Sequence, residues 1–417
     1  MLSEENNELL TRTGPGTPGG RLLRQYWQPI ALGSEVGAGS ADPVPLTVMS
    51  EELVLFRDEH GELGLLGRHC PHRGADLSYG RIEDGGLRCI YHGWLWERGG
   101  RCLQQPGEPA GSRLFERVRN TSYPVREAGG LVFAFMGEGE PPEFPGYGFM
   151  AADEDHLAVM KVRLSCNYLQ ANEGNLDPQH LSFLHGRLDT FDIHRADPTP
   201  SIYVEPCAYG TRIIATREVN DALLVRVSNF ITPNASSFPT PACEPGGYQL
   251  HWHVPVDDST HVKFVVQFTV GAPIDRDRAV RFDPEEMNGD YSLKRTAANR
   301  YRQDRSSMSE HWFAGLGSNF EVHDAYAVQS QGVVQARTIE HLGSTDKAVI
   351  AARRVLIGQV QAIVRGEAPE VCAIPMSEPP LTAAVNLPLG SDWRDWLARA
   401  VDGETATTSG PSENARS

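Results

Sequence analysis

The chain has 417 residues, of which 40% are hydrophobic and 22% charged, and this composition predicts a globular protein of two or three domains with a substantial core. Its formal net charge of -16 at pH 7 argues against phosphate backbones and anionic lipid as partners. No apolar run is long enough to span a membrane and the first ten residues are acidic, so we expect a cytoplasmic protein that binds neither membranes nor nucleic acid.

The chain contains seven cysteines, an odd number spread thinly over its length, which argues against a disulfide scaffold. We expect each thiol to be either buried packing or a metal ligand. The seven are Cys70, Cys89, Cys102, Cys166, Cys207, Cys243 and Cys372.

The first third of the chain predicts a small all-β domain. Residues 11–150 are rich in glycine and proline, and short β-type runs such as 52–56 and 131–136 are separated by turn residues.

The pattern changes near residue 162. A helical stretch is predicted over 177–185, and the alternating runs 223–228 and 261–270 are typical of antiparallel strands with one buried face. A mixed domain of helices and strands therefore follows the all-β part.

Two further helices and a tail are predicted beyond residue 282. Residues 287–312 are polar and are expected to be helical, while residues 345–365 place apolar side chains near helical spacing and Gly366 closes that helix. Residues 403–417 lack apolar anchors and are expected to be disordered.

Two short motifs in the all-β part each pair one cysteine with one histidine. Cys70 and His72 are two positions apart, and Cys89 and His92 are three apart. A [2Fe–2S] cluster with two cysteines on one iron and two histidines on the other needs two loops that present such ligands. Because neutral imidazoles replace thiolates, such a cluster has a potential of roughly -150 to +300 mV and accepts electrons readily from a reductase.

Two other interpretations of these four residues stay open. A Cys2His2 zinc site also uses mixed ligands, although zinc fingers usually pair like ligands and continue into a short helix, whereas residues 93–96 read Gly-Trp-Leu-Trp. The histidines could also be core residues without a metal. Cys102 has no partner in either metal scheme and is expected to be packing.

A second constellation consists of Asp177, His180 and His185. On a helix, Asp177 and His180 share a face, so the carboxylate can hydrogen-bond the imidazole or its surroundings. His180 and His185 lie about 140° apart on an ideal helix, so both can bind one metal only if the turn distorts or ends, which Gly186 allows. Two imidazoles and a carboxylate from elsewhere would form the facial triad of a non-haem Fe(II) oxygenase. The alternative is two histidines on a polar helix edge.

The two constellations together resemble those of the α-subunits of Rieske non-haem iron aromatic-ring-hydroxylating oxygenases. The first is similar to the Rieske pattern C-x-H and C-x2-H, and it is of the oxygenase type because Ala75 and Tyr91 stand where respiratory Rieske proteins carry an additional cysteine pair. The resemblance extends over most of the chain and is greatest to the phthalate dioxygenase branch, which also contains aryl O-demethylases.

The iron-binding pattern of this family runs E/N-x3-D-x2-H-x4-H. It is met here by Glu173, Asp177, His180 and His185. The resemblance implies that His180 and His185 bind a mononuclear Fe(II), that Cys70, His72, Cys89 and His92 hold the Rieske cluster, and that Asp177 links the two centres.

The resemblance also implies an α+β fold. It predicts an all-β Rieske domain with an N-terminal helical arm in residues 1–155, a helix-grip (START-like) antiparallel-sheet catalytic domain in residues 156–402, and a tail in residues 403–417. It further implies a ring-shaped homotrimer, or a dimer of such trimers, in which one subunit's cluster supplies the iron of its neighbour.

The resemblance implies a third iron ligand just ahead of residues 327–332, which read Ala-Val-Gln-Ser-Gln-Gly. Asp324 fits that place, with Glu321 and Asp304 as lesser candidates. Residues 336–338 read Ala-Arg-Thr where the branch commonly has Asp-Arg-Thr or Asp-Arg-Ser, which leaves the local ion pairing open.

Several other polar residues are candidates for the substrate cavity. His251, His253 and His323 could face it, but we expect them to be structural or exposed. A carboxylated substrate would need a cationic anchor, and the candidates on predicted strands are Arg212, Arg217, Arg226 and Lys263.

The predicted function is that of a terminal oxygenase. It would use O2 and electrons from an NAD(P)H-dependent flavin or iron–sulfur reductase to hydroxylate an aromatic substrate, with an aromatic carboxylate of phthalate type favoured. The alternatives are O-demethylation of a methoxylated aromatic acid and, more distantly, a Rieske electron-transfer protein without oxygenase activity.

Overall fold

In the computed structural model, the described residues are 1–37, 42–243, 246–276, 279, 284–367 and 380–403. They form two compact units: a smaller unit of residues 13–144 and 254–257, and a larger unit of residues 1–12, 145–253 and those from 258 onward. Cys372 and nearly all of the predicted tail 403–417 lie outside the described residues. Among the residues described, no helix combines the length and the apolarity that crossing a membrane requires.

The described residues contain both short and long α-helices. They are α1 (Glu4–Thr11), α2 (Pro18–Arg24), α3 (Tyr168–Asn175), α4 (Ile193–Ala196), α5 (Phe320–Gln329), α6 (Lys347–Val364) and α7 (Trp393–Val401).

The smaller unit is built from short antiparallel strands in three sheets, with the orders β1-β11-β10, β2-β3-β4-β9 and β5-β6-β7-β8. A core that includes Val54, Leu66 and Trp96 forms inside this unit. The strands are β1 (Gln28–Leu32), β2 (Val44–Val48), β3 (Glu51–Arg57), β4 (Leu63–Gly67), β5 (Arg81–Glu83), β6 (Gly86–Arg88), β7 (Leu95–Glu97), β8 (Cys102–Gln104), β9 (Ser122–Tyr123), β10 (Val125–Ala128) and β11 (Leu131–Ala134).

The larger unit is organised around one eight-stranded antiparallel sheet. Its order is β12-β18-β17-β16-β15-β14-β13, and β19 pairs with β15 beside β16. The strands are β12 (Leu157–Leu164), β13 (Ser201–Cys207), β14 (Gly210–Val219), β15 (Ala222–Ile231), β16 (Ala235–Phe238), β17 (Tyr248–Asp257), β18 (Thr260–Phe268) and β19 (Ala383–Pro388).

Two apolar cores hold the helices of this unit on the sheet. One joins β12 to α3 and α5 through residues such as Leu164, Ala171 and Val328. The other joins β14, β15 and β19 to α7, where Trp393 and Trp396 are buried. The first core matters for function because it fixes the two helices that lead to the predicted metal ligands.

The mixed α+β class and the antiparallel catalytic sheet are confirmed, as are the strands predicted at 52–56 and 131–136 and the helix at 345–365. Gly366 follows that helix with a φ of +79°, the left-handed conformation expected of a glycine at this place. The expectation that the strands at 223–228 and 261–270 bury one face is wrong, because consecutive residues in both runs are buried and so both faces of the sheet are covered there.

Two predicted helices are absent. Residues 177–185 contain only a 3-10 turn over His180–Ser182, because α3 has already ended and Pro178 disfavours helical backbone at Asp177. Residues 287–312 contain no α-helix, only 3-10 turns over Ala297–Arg302 and Ser307–Ser309. The backbone N–H groups of Ser292 and Ser306 each donate a hydrogen bond to the side chain of an aspartate two residues earlier. Such hydrogen bonds favour turns over helix in this segment.

Candidate metal centres

Two loops of the smaller unit present the predicted cluster ligands, and they share one backbone pattern. The N–H of Gly74 donates to the carbonyl of Cys70 at 2.8 Å, and the N–H of Gly93 donates to that of Cys89 at 2.9 Å. Each cysteine N–H donates to the carbonyl five residues further on, at 2.8 and 2.9 Å. Gly74 and Gly93 have φ values of +74° and +73°, which glycine adopts without strain. The two loops therefore have the same backbone hydrogen bonds, although the histidine follows the cysteine by two residues in one and by three in the other.

The four side chains divide into an inner and an outer pair. Cys70 and Cys89 are 1% and 3% exposed inside the core of the unit, whereas His72 is half-buried and His92 is exposed. The two imidazole rings have centroids 4.5 Å apart, and the His72 ring stacks on Trp94 at 4.4 Å. Two buried sulfurs and two outward imidazoles side by side match the donor set of a Rieske cluster.

A buried indole provides a further observation on this donor set. Burial raises the pKa of the Cys70 thiol to about 11, and the His72 backbone N–H and the nearby Trp96 indole N–H oppose that rise because both favour an anionic sulfur. The Trp96 N–H is buried and makes no close hydrogen bond to any described residue. A donor in this position fits an anionic sulfur as its acceptor. Cys102, as expected, is a free thiol packed in the same core.

In the larger unit, the turn after α3 fixes the orientation of His180. The Asp177 carboxylate accepts hydrogen bonds from the N–H of Gln179 at 2.7 Å and of His180 at 3.2 Å. The Nδ1–H of His180 donates to the backbone carbonyl of Asp177, while the carboxylate lies 3.8 Å from Nδ1. The partner of the imidazole is thus the carbonyl rather than the carboxylate, and Nε2 keeps its lone pair for a metal.

Arg217 holds the same turn from beneath. This residue of β14 is buried and donates to the carbonyl of Pro178 at 2.9 Å, to Ser182 Oγ at 3.3 Å and to the carbonyl of Asp197 at 3.0 Å. Arg217, one of the predicted cationic anchors, therefore supports the backbone around His180. Another, Arg212, lies 3.7 Å from the Glu205 carboxylate.

A chain of hydrogen bonds orients His185. Nε2 of His323 lies 2.8 Å from the carbonyl of Gly317, and Nδ1 of His323 lies 3.1 Å from Nδ1 of His185. The carbonyl can only accept, so His323 donates from Nε2 and accepts at Nδ1 from His185. The other ring nitrogen of His185, Nε2, lies 3.0 Å from Asp324 Oδ1 and is the nitrogen that can bind a metal. His323 is therefore a structural residue that supports a predicted ligand, and sequence reasoning did not assign it this role.

His180, His185 and Asp324 converge on one point. One ligand atom from each lies within 4.8 Å of the others, a set that could hold a metal ion. The pKa of His180 is lowered, first by burial and then by His185, which favours the neutral form that binds metals. Burial acts to raise the pKa of Asp324, but attraction to His185 and Lys263 outweighs it and keeps the carboxylate ionised. Two imidazoles and one carboxylate fit the facial triad of non-haem Fe(II).

The lesser candidates for the third ligand have other partners. Glu321 is buried and pairs with Lys263 at 2.6 Å. Asp304 accepts hydrogen bonds from Ser306 in an exposed turn. Neither belongs to the convergent set.

Glu173, the first residue of the iron-binding pattern, is a structural residue. Its carboxylate accepts hydrogen bonds from the buried guanidinium groups of Arg337 and Arg353. The open question about ion pairing near residues 336–338 is thereby answered, since Arg337 pairs with Glu173 instead of a neighbouring aspartate.

A cavity of about 120 Å³ adjoins the convergent ligands. Apolar and polar side chains share its lining: Leu164, Ala171, Gly174, Asn175, Asp177, His180, Leu184, His253, Lys263, Asp324, Ala327, Val328 and Gln331. Lys263 is the cationic side chain in this set.

Three histidines form a buried polar network beside the cavity, and one of them, His253, lines it. The Asn175 amide lies 3.0 Å from His251 Nδ1 and 2.7 Å from His253 Nε2, and His253 Nδ1 lies 3.3 Å from His261 Nε2. His261 Nδ1 donates to the carbonyl of Cys166 at 2.8 Å. The expectation that His251 and His253 are structural is consistent with this network, and neither is exposed.

Two family models match this chain, one in each part. Residues 26–124 match the Rieske [2Fe-2S] domain, and residues 134–416 match the "LigXa C-terminal domain like" family. The chain is 32% identical to the phthalate 4,5-dioxygenase oxygenase subunit of Pseudomonas putida, over 96% of each chain. It is 33% identical to the 5,5'-dehydrodivanillate O-demethylase oxygenase subunit of Sphingobium sp., over 93% of this chain and 87% of that protein.

Solved structures with the same fold are terminal oxygenases. Dicamba monooxygenase bound to dicamba aligns with a TM-score of 0.57 and 19% identity, covering 83% of this chain and all of that chain. The terminal oxygenase of carbazole 1,9a-dioxygenase from Nocardioides aromaticivorans aligns with a TM-score of 0.55 and 19% identity, covering 85% of this chain and 97% of that one. Such oxygenases carry a mononuclear non-haem iron besides the Rieske cluster. The chain belongs to the Rieske non-haem iron oxygenases, as an oxygenase subunit of the phthalate dioxygenase type.

Proposed function

We propose that this chain is the terminal oxygenase component that hydroxylates an aromatic acid, using O2 and electrons delivered through its Rieske domain. The observation that carries the proposal is the presence in one chain of two equivalent Cys/His loops and of a separate His180–His185–Asp324 set beside a cavity. An electron carrier would need only the first.

The ligand assignments follow from the donor sets. Cys70, Cys89, His72 and His92 would hold the [2Fe–2S] cluster, and His180, His185 and Asp324 would hold the iron. When bound, the cluster supplies electrons singly and the iron supplies open coordination positions for O2. The chain's own part is to fix both imidazole tautomers through Nδ1 and to keep Asp324 ionised.

Asp177 is proposed as the link between the two centres. Its carboxylate closes the turn that carries His180, and its carbonyl orients the His180 ring. It also lines the cavity. A change in its charge would therefore act on the supply of electrons or protons to the ligand set without removing a ligand.

The substrate class rests on the relatives. Phthalate, phenoxybenzoate and 3-chlorobenzoate dioxygenases are similar to this chain over most of its length, and their names specify aromatic acids. Dehydrodivanillate O-demethylase, at 33% identity, favours oxidative O-demethylation as the second candidate. Both reactions fit the same ligands, and the product separates them, since a cis-diol indicates dioxygenation and formaldehyde indicates demethylation.

The electron donor is proposed to be an NAD(P)H-dependent reductase with a flavin or an iron–sulfur group. Solved oxygenases of this fold include complexes of carbazole 1,9a-dioxygenase with ferredoxin, which supports a separate redox partner. We also propose the homotrimer, or a dimer of trimers, that is typical of the family.

The experiment is an oxygen-uptake assay with a surrogate reductase and a panel of aromatic acids and methoxylated aromatic acids. We expect uptake that depends on one of these substrates and yields a stoichiometric product. The His185→Ala variant should keep the Rieske spectrum and lose uptake. If the chain reduces and reoxidises its cluster but no substrate stimulates uptake above that of His185→Ala, it is an electron carrier and the proposal fails.

A further inference from the structure

Asp324 offers its two carboxylate oxygens to different partners. Oδ1 lies 3.0 Å from His185 Nε2, on the side of the proposed metal, whereas Oδ2 lies 3.7 Å from the Nζ of Lys263. Lys263 belongs to β18 and is 1% exposed, so its ammonium is held by packing and by its anionic neighbours.

The closer neighbour of this ammonium is Glu321, whose Oε2 lies 2.6 Å from Nζ. Glu321 and Asp324 are three residues apart on α5, so they lie on one face of the helix, and Asp324 lines the cavity. An ionised carboxylate next to a divalent cation would ordinarily become a ligand, because the metal is the largest local charge. Lys263, which contacts both carboxylates, gives Glu321 a partner other than the metal.

We propose that Lys263 is a positioning residue that sets the carboxylate ligation of the iron: it keeps Asp324 bound through one oxygen and keeps Glu321 out of the ligand set. The proposal rests on the metal ligands assigned under the proposed function. Its consequence is that coordination positions which a second carboxylate oxygen would fill stay open for O2 and substrate.

The arrangement also explains why a buried lysine adjoins a cation site. A lone ammonium there would repel the metal and would be costly to bury, but Glu321 neutralises it. The pair contributes no net charge, so it can direct the Asp324 carboxylate without weakening the attraction between that carboxylate and the metal.

The test uses the full chain with the proposed iron site loaded with Co(II), and its readout is coordination rather than turnover. The Lys263→Met/Glu321→Gln double variant removes the pair as a unit, so the net charge of the site is unchanged and no buried charge is orphaned. Glu321→Gln alone is the control for coordination, because it leaves Lys263 on Oδ2, and its uncompensated ammonium should weaken Co(II) binding. Crystal structures of the loaded proteins give the distances of both Asp324 oxygens from the metal, and chelator competition gives the Co(II) dissociation constant.

In the wild type and in Glu321→Gln, we expect Oδ1 alone as a ligand. In the double variant we expect both oxygens on the metal and Co(II) binding several-fold tighter. Bidentate Asp324 or a bound Glu321 in the wild type would overturn the proposal, as would single-oxygen ligation in a folded double variant. If the double variant does not fold, the wild-type coordination decides. If His185→Ala binds Co(II) as well as the wild type, the proposed ligand set itself is wrong, which is a distinct result.

Discussion

Glu173 lies between two buried guanidinium groups, and its replacement should destabilise the larger unit. Its carboxylate accepts from Arg337 Nε and Nη2 at 3.1 and 3.0 Å, and from Arg353 Nε and Nη2 at 2.6 and 3.0 Å. Arg353 also pairs with Glu340, whereas Arg337 has Glu173 as its carboxylate partner among the ion pairs of the described residues. Glu173→Gln removes the charge and keeps the volume.

The expected magnitude follows from this burial. Removing one partner of a buried ion pair costs about 3–5 kcal/mol. For a unit of this size, each kcal/mol lowers the melting temperature by about 2–4 °C, so the transition of the larger unit should fall by about 6–20 °C. The lower part of that range is expected because the glutamine oxygen still accepts one hydrogen bond.

The assay is scanning calorimetry of the full chain, with Glu367→Gln as the matched control. Glu367 pairs with Arg365 at 2.7 Å, but both side chains are more than half exposed, so its loss should leave the melting temperature nearly unchanged. Iron content should be unchanged in Glu173→Gln. Equal shifts in the two variants would refute the structural role of Glu173, and loss of the mononuclear iron would make it a ligand.

Three further predictions concern Asp177, Trp96 and His261. Asp177→Asn should retain iron, because the asparagine oxygen can still accept from the N–H groups of the turn, yet lose at least about 100-fold in turnover, because the proposed link loses its charge; turnover near that of the wild type would refute its role as the link. Trp96→Phe should lower the cluster potential in a redox titration, where about 59 mV corresponds to a tenfold change in the equilibrium of a one-electron couple. Trp27→Phe should leave that potential unchanged, because the Trp27 indole donates to a backbone carbonyl at 3.1 Å. Burial lowers the pKa of His261 to about 4, whereas in the unfolded chain this histidine binds its proton near pH 6.5. As the pH falls from about 6.5 to 4, the free energy of unfolding should therefore decrease by up to about 1.4 kcal/mol per pH unit because of this group. In urea titrations across that range, His261→Gln should reduce the pH slope by one proton, and an unchanged slope would contradict the assignment.

The two Cys/His loops were predictable because their proposed ligands are local. Two motifs of three and four residues specify Cys70, His72, Cys89 and His92, and the glycines that close the loops lie within five residues of each cysteine. His180 and His185 were predictable for the same reason. The way in which these two histidines converge was not predictable from spacing. They lie in a turn that follows the end of α3, where Pro178 disfavours helical backbone, and not on a distorted helix.

The remainder of the iron site depends on packing between distant segments. Asp324 was reached through family resemblance rather than by spacing, and the roles of His323 and Lys263 were not assigned from sequence. Lys263 lies on β18 and reaches α5 only because both pack in the interior of one unit. No periodicity along the chain encodes which cation meets which carboxylate across such a distance.

The most direct test of the account is iron and acid-labile sulfide analysis of the anaerobically reconstituted chain, combined with electron paramagnetic resonance of the dithionite-reduced protein. The account predicts three irons and two sulfides per chain and a Rieske-type signal, with His185→Ala losing one iron and keeping the signal. Two irons in both proteins would contradict the mononuclear site, and absence of the Rieske signal would contradict the account as a whole.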